Sequence, residues 1–377
     1  MYVKTMKILL LGEYSNVHAT LADGLRSLGH EVVVASNGDF WKSYPRDIDL
    51  SRDYGFAGGL RLWAKIMLHL KQFSGFDIVQ IINPMFLELK AERHFFIFDY
   101  LRKHNRKVVM GAFGMDYYWV HENITRLPLR YSDFNIGKEL RNNKDATVAI
   151  KDWTGTAKER LNRYCAEKAD AIVAGLYEYD VCYRGVFPDK TVFIPMPIKP
   201  AALSESRLEA IKRKVDKVKI FVGISKNRSE YKGTDIMLDA AKHIADKYKE
   251  CVELRIVEGV PFEEYRQLMA DSDVILDQLY SYTPAMNALE AMSQGLVCVG
   301  GGEPENYDIL GETELRPIVN VEPDFQSVYN ALEHLVKHRE DIPEMKLQGI
   351  KYIARHHDYI TVARKYALLY SKILCNP

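Results

Sequence analysis

The chain has no charge excess. Its 51 lysines and arginines meet 51 aspartates and glutamates. A general nucleic-acid binder carries a basic surplus, so no nucleic-acid partner is expected. Cysteine is sparse: Cys165, Cys182, Cys251, Cys298 and Cys375 are scattered, odd in number and form no Cys-x-x-Cys. That pattern argues against a disulfide framework or a zinc cluster and fits a reducing cytosol. No apolar run approaches the roughly 18 residues that span a bilayer. The opening MYVKTMKILLLGEYS has a short apolar run and no small-residue cleavage site, so no secretory signal is expected and a cytoplasmic location is. There is no low-complexity segment and no G-x-G-x-x-G dinucleotide fingerprint. The sequon at Asn123-Ile124-Thr125 is read as chance in a cytosolic chain.

What the chain does have is core material. Hydrophobic residues make up 47% of 377 positions, enough for two domains of ordinary size. Residues 7–11 read as a buried strand, 17–28 as a helix closed by Gly29, and 31–35 as the next strand. This βαβ opening predicts a parallel sheet. Further strands are expected at 78–82, 108–112, 171–174 and 192–194. Residues 116–156 resist assignment, being aromatic first and polar later; an insertion of that length suits an acceptor pocket. Pro195, Pro197 and Pro200 make residues 195–200 a stiff linker. Beyond it strands are expected at 219–223, 254–257, 274–276, 297–299 and 318–319, with helices at 233–248, 262–271, 284–294 and 325–338. The expected domains are 1–197 and 198–355, with a closing segment 356–377 that carries a helix (359–373).

The richest stretch is 271–303, DSDVILDQLYSYTPAMNALEAMSQGLVCVGGGE. A short strand feeds a polar, aromatic turn. A helix then starts near Pro284, a residue suited to a first turn, and ends at Gly295, which favours a left-handed cap. A second strand and three glycines lead to Glu303. Strand, turn, helix and strand form half of a nucleotide-binding unit, and the free N–H groups at the helix start suit an anion. Glu290 lies about two turns in, within reach of a ribose diol.

Leu289-Glu290-Ala291-Met292, Gly295 and residues 297–299 resemble the LEAMA-x-G-x-P-V-V signature of the retaining glycosyltransferases of family 4 (group 1). Ser225-Lys226-Asn227-Arg228 through Lys232-Gly233-Thr234 resembles the same family's basic loop, in the family's order and separation. The resemblance covers roughly residues 217–303. It implies the GT-B fold, an α/β architecture of two Rossmann-like domains with parallel sheets facing across a cleft. It implies that Arg228 and Lys232 stabilise the departing diphosphate, and that Glu290 holds the nucleotide ribose. The family usually has another glutamate eight positions before Glu290, contacting the donor sugar. Here that position is Tyr282, so the sugar contact is left open.

Other candidates stand beside bland readings. The turn Tyr282, Thr283, Pro284, Ala285, Met286 and Asn287 offers backbone N–H groups to a diphosphate, or is an ordinary helix start capped by Ser281 or Thr283. Glu303, beyond a strand end, could replace the missing glutamate. Gly12, Tyr14 and Ser15 resemble the family's first-strand loop facing the donor, or form a simple turn. Asp116 contacts sugar or acceptor, or caps a helix. His18 is read as structural. Asp271-Ser272-Asp273 spells a metal motif but sits before a buried strand, and His356-His357-Asp358 lacks a third well-spaced ligand, so no metal is expected. In 59–73, Leu60, Trp63, Ile66, Met67 and Leu70 share a face that suits the core or an anionic membrane surface.

The expectation is thus a metal-independent retaining hexosyltransferase without a cofactor. It would take a UDP- or GDP-sugar as donor and a glycan or lipid-linked acceptor, in cell-surface polysaccharide or glycolipid synthesis, at the inner face of the membrane. The alternatives are a nucleotide-sugar epimerase or hydrolase of the same fold, or an inactive sugar-nucleotide-binding subunit.

Overall fold

The computed structural model describes residues 5–200, 202, 204–224, 229–260 and 262–375. Its strands, in chain order, are β1 (Lys7–Leu11), β2 (Glu31–Ser36), β3 (Ile48–Asp49), β4 (Ile78–Ile81), β5 (Lys107–Ala112), β6 (Asn135–Ile136), β7 (Glu139–Leu140), β8 (Ala171–Ala174), β9 (Thr191–Phe193), β10 (Val218–Ile224), β11 (Val252–Glu258), β12 (Val274–Leu276), β13 (Val297–Gly300) and β14 (Val319–Asn320). The chain divides into two compact units. One comprises Met1–Pro128, Val148–Pro197 and Tyr359–Pro377; the other Leu129–Thr147 and Ile198–Asp358.

The first unit holds a seven-stranded parallel sheet, β3-β2-β1-β4-β5-β8-β9. Ile8, Leu9, Leu10 and Leu11 are all fully buried, as expected for a strand covered on both faces. The C-terminal helix Tyr359–Cys375 packs on helix Val17–Ser27, and Gly24 makes the contact possible. A Cβ there would meet the Tyr359 carbonyl oxygen at 2.4 Å. The second unit holds a five-stranded parallel sheet, β11-β10-β12-β13-β14, and the antiparallel hairpin β6-β7.

Strand order reverses between β1 and β4 in the first sheet and between β10 and β12 in the second. In open α/β sheets the carboxyl ends of strands at such a reversal form the ligand crevice. Each sheet therefore has one.

The division departs from the expected 1–197, 198–355 and 356–377 in two places. Residues 129–147 group with the second unit, and the closing segment begins at Tyr359. Their bonding partners explain the first: Arg130, Tyr131 and Arg141 are tied to residues 89 to 175 positions further on. No local sequence pattern reports such distant pairs.

Helix Gly55–His69 also differs from expectation. Gly58, Leu62 and Ile66 form its buried stripe, while Phe56, Leu60 and Leu68 are exposed. Among the described residues no helix is long and apolar enough to cross a membrane.

Candidate functional site

In the second unit β10 and β12 run side by side, so the chain leaves both at the same edge. The segment after β10 contains Lys226 and Arg228, which lie outside the described residues. It resumes as the short helix Ser229–Lys232. Gly233 follows in the left-handed region, at φ 72°, and a Cβ there would meet Leu279 Cβ at 2.6 Å. The Lys232 carbonyl accepts the Leu279 N–H at 2.9 Å. Glycine thus lets the half-buried Lys232 be pinned to the loop that follows β12.

That loop runs into helix Met286–Ser293, which starts two residues later than expected. Pro284 and Ala285 precede it, with Ala285 at the N-cap position in place of Ser281 or Thr283. The Ser281 hydroxyl donates instead to the Thr283 carbonyl at 2.6 Å. The Asp277 carboxylate, at the end of β12, accepts the Ala285 N–H at 3.3 Å. A carboxylate at a helix start is favoured by the same partial positive charge that holds anions. Sequence reasoning missed Asp277 because its partner lies eight residues on, beyond any capping spacing.

Glu290 is half-buried and accepts from Arg266 Nη2 at 3.2 Å and Gln294 Nε2 at 2.9 Å. The Tyr265 hydroxyl donates to Asn287 Oδ1 at 3.2 Å. Tyr265 also fills the space beside Gly223, where a Cβ would lie 2.4 Å from that hydroxyl. Burial pushes its pKa up to about 12. Helix Phe262–Ala270 thus joins this edge of the sheet through two residues that carry no motif.

Tyr282 is buried. Its hydroxyl accepts the Arg130 backbone N–H at 2.6 Å, and its ring lies 4.9 Å from the Arg130 guanidinium and 4.9 Å from the Tyr131 ring. Burial pushes its pKa up to about 12, so it stays a neutral hydroxyl. Glu303 precedes helix Pro304–Leu310 and is 6% exposed. It accepts from Arg130 Nη2 at 2.7 Å, the Tyr131 hydroxyl at 2.5 Å and Asn320 Nδ2 at 3.0 Å. Arg130 also pairs with Glu305. The structure therefore brings Tyr282 and Glu303 onto one cluster, and the residues that link them were not among the expected ones.

The first unit treats its candidates differently. Gly12, at φ 86°, lets β1 turn against Ile82 and the Phe86 carbonyl, and a side chain there would clash with both. Tyr14 donates to the Met85 carbonyl at 3.3 Å, and the Ser15 N–H donates to Asp39 at 3.0 Å. The cavity lined by Gly12, Glu13, Tyr14 and Glu88 is about 10 Å³, room for about one water. Glu13 is buried and accepts the His18 and Ala19 N–H groups at 3.2 and 2.8 Å. Burial pushes its carboxyl up to about 8. His18 lies between the Gly12 carbonyl and Gln80, and burial lowers it to about 3, so it is neutral and structural.

Asp116 occupies the capping position that was its alternative reading. It is fully buried and caps helix Tyr117–Thr125, accepting the Trp119 N–H at 2.9 Å and the Tyr183 hydroxyl at 2.8 Å. Both oxygens are engaged within the fold, as the capping reading expects. Burial pushes its carboxyl up to about 7.

Asp271 pairs with Lys219 and Arg255, and Asp273 with Lys346, at the start of β12 and so at the opposite end from the crevice. His356 pairs with Glu312 at 2.6 Å. Among the described residues no group of three His, Cys, Asp or Glu is arranged to hold a metal ion.

No family model and no curated protein sequence matches the chain. Solved structures do. Anabaena Alr3699/HepE in complex with UDP-glucose is 13% identical over 97% of this chain and 100% of that one, with a TM-score of 0.59. WaaG, a glycosyltransferase involved in lipopolysaccharide biosynthesis, is 13% identical over 97% and 100%, with a TM-score of 0.61. Sucrose-phosphate synthase from Thermosynechococcus elongatus is 14% identical over 99% and 100%, with a TM-score of 0.62. At such identities the likeness is one of fold. The chain has the GT-B fold of these glycosyltransferases.

Proposed function

We propose that the protein is a glycosyltransferase that moves a hexose-type sugar from a UDP- or GDP-sugar to a hydroxyl, with retention at the anomeric carbon and without a metal ion. The observation that carries this reading is the second sheet's crevice. Its strand reversal, the pinned Lys232 after β10 and the helix start after β12 all lie at one sheet edge. The solved HepE structure of the same fold holds UDP-glucose, which makes a UDP-sugar the first donor to try.

In this mechanism negative charge grows on the diphosphate as its bond to the sugar breaks. Lys232, with Arg228, meets that charge, and such preorganised cations stabilise the transition state more than the ground state. The helix start at Ala285, Met286 and Asn287 assists, with Asp277 yielding its hydrogen bond to phosphate oxygen. Glu290 turns from Arg266 and Gln294 toward the ribose. Glu303 supplies the sugar contact that Tyr282 does not. A departing phosphate oxygen takes the acceptor proton on the same face, so no pair of catalytic carboxylates is required.

The acceptor is a glycan or lipid-linked glycan of cell-surface polysaccharide or glycolipid synthesis, met at the cytoplasmic face of a membrane. Exposed Tyr54, Phe56, Leu60 and Leu68 beside Arg52, Arg61 and Lys65 support a peripheral contact with anionic lipid. A second reading, an inactive sugar-nucleotide-binding subunit, is favoured by one observation: the buried Tyr282 where the resembling family has a carboxylate.

The test is a thermal-shift screen of UDP, GDP, ADP, CMP and their sugar forms against the wild-type chain and Lys232→Ala. Stabilisation by one nucleotide series, weakened in the variant, is expected and names the base. No shift with any of them refutes the donor site. Donor binding without transfer to any acceptor favours the subunit reading.

A further inference from the structure

Residues 129–147 follow the first unit's Pro128 and lead back into it at Val148, yet they pack with the second unit. Their bonds fall on three loops, and each loop leaves the carboxyl end of a crevice strand. After β10, the carbonyls of Glu230 and Tyr231 accept from Arg141 at 2.8 and 3.2 Å. The Tyr231 hydroxyl donates to Asp133 at 2.5 Å. After β12, the Tyr280 ring lies 3.4 Å from the Arg141 guanidinium, and Tyr282 is bonded to Arg130. After β13, Glu303 is held by Arg130 and Tyr131. Residues 129–147 thus form a strap tied to loops at the carboxyl ends of three neighbouring strands of the second sheet.

The chemistry of the Arg130 end says which part of a ligand it fits. One guanidinium is shared by Glu303 and Glu305, so the cluster carries a net negative charge. That repels phosphate and suits neutral hydroxyl groups. Glu303 Oε1 receives two donors and Oε2 only one, which leaves an acceptor site on Oε2. The buried rings of Tyr131 and Tyr282 pack 4.9 Å apart, and the Arg130 guanidinium lies 4.9 Å from the Tyr282 ring, which fixes the cluster. A fixed carboxylate acceptor matches a sugar ring, which presents hydroxyls at its edge.

We propose that Arg130 and Tyr131 are positioning residues for donor-sugar recognition: from the strap they fix the Glu303 carboxylate as the acceptor for a hydroxyl of the donor sugar. This rests on the donor-site reading above. It assigns the strap to substrate selection, with the sugar moiety of a nucleoside-diphosphate sugar as the ligand. Without Arg130 and Tyr131 the buried carboxylate is desolvated and held only by Asn320, so it reorients.

The test is calorimetric titration of the full chain with UDP and with UDP-glucose, or with GDP and GDP-mannose if the screen names guanine. The variants are Arg130→Ala, Arg130→Lys and Tyr131→Phe; the last removes one hydroxyl and keeps the ring. The nucleotide Kd should stay within about twofold of wild type, while the advantage of the sugar form falls roughly tenfold in Arg130→Ala and less in Tyr131→Phe. Arg130→Lys should recover part of it. An unchanged advantage in Tyr131→Phe and Arg130→Ala overturns the proposal. So does a parallel loss for nucleotide and sugar form, which makes the strap mere scaffold. A wild-type chain that binds no nucleotide at all refutes the donor site itself, and this inference falls with it.

Discussion

Both sheets have a strand-order reversal, at β1/β4 in the first and β10/β12 in the second, yet the polar groups beside the two are held differently. In the first unit Glu13, His18, Gln80 and Tyr370 form a chain of buried hydrogen bonds, with Tyr370 donating to Gln80 at 2.8 Å. In the second unit Lys232, Glu290, Arg266 and Arg130 are half-buried or exposed and meet through ion pairs and loop contacts. Burial drives the first group toward neutrality and leaves little capacity for a substrate. Partial exposure leaves the second group able to exchange partners, since exposed ion pairs contribute little to stability. The polar groups at β1/β4 therefore anchor their sheet, while those at β10/β12 remain within reach of solvent.

Substitutions at three positions probe that contrast. The largest effect should come from Lys232→Ala. Sugar transfer should fall roughly 100- to 1,000-fold, the usual loss for one transition-state charge partner, with the unfolding temperature little changed. Transfer above a tenth of wild type would remove Lys232 from the chemistry.

Glu13→Gln tests the anchor through pH. Burial holds the Glu13 carboxyl near about 8 in the fold, against 4.5 ordinarily. The unfolded chain therefore releases that proton first, and wild type loses stability as pH rises from about 5 toward 8. Glutamine can still accept the two N–H groups, so the variant should show a flatter slope and gain roughly 4 kcal/mol over wild type by pH 8. Urea unfolding at several pH values measures this. Identical slopes would mean that Glu13 is ionised in the fold.

Asp116→Ala should cost about 1–2 kcal/mol through the lost cap and the stranded Tyr183 hydroxyl, while Asp116→Asn costs less. Nucleotide binding should be untouched in both. A large loss of transfer in a stably folded Asp116→Asn would restore a chemical role to this carboxyl.

Much of the scaffold was legible because parallel strands buried on both faces are plain apolar runs. β1, β8 and β12 match the expected 7–11, 171–174 and 274–276. The two-residue strands β3, β6 and β7 were missed because so short a run carries no periodicity. In the site, Lys232 and Glu290 stood out through their loop and helix, and the capping alternative for Asp116 was visible from its place after a strand. Asp277, Arg266, Arg130 and Tyr131 were not. Their partners lie 8, 24 and up to 175 residues away, and only the folded sheet edge brings them together. The outward face of helix Gly55–His69 was misjudged for a related reason: several apolar stripes overlap there, and packing selects one.

The strap and the closing helix also set the terms on which this chain can be taken apart. The polypeptide passes between the units at 128/129, 147/148, 197/198 and 358/359. A truncation after Pro197 would strip Gly24 of its neighbour Tyr359 and Gln80 of Tyr370, and would leave Arg130 and Arg141 without their partners. The proline linker is therefore a poor place to cut. An independent second half would need residues 129–147 grafted onto it, and an independent first half would need the final helix rejoined by a new connection.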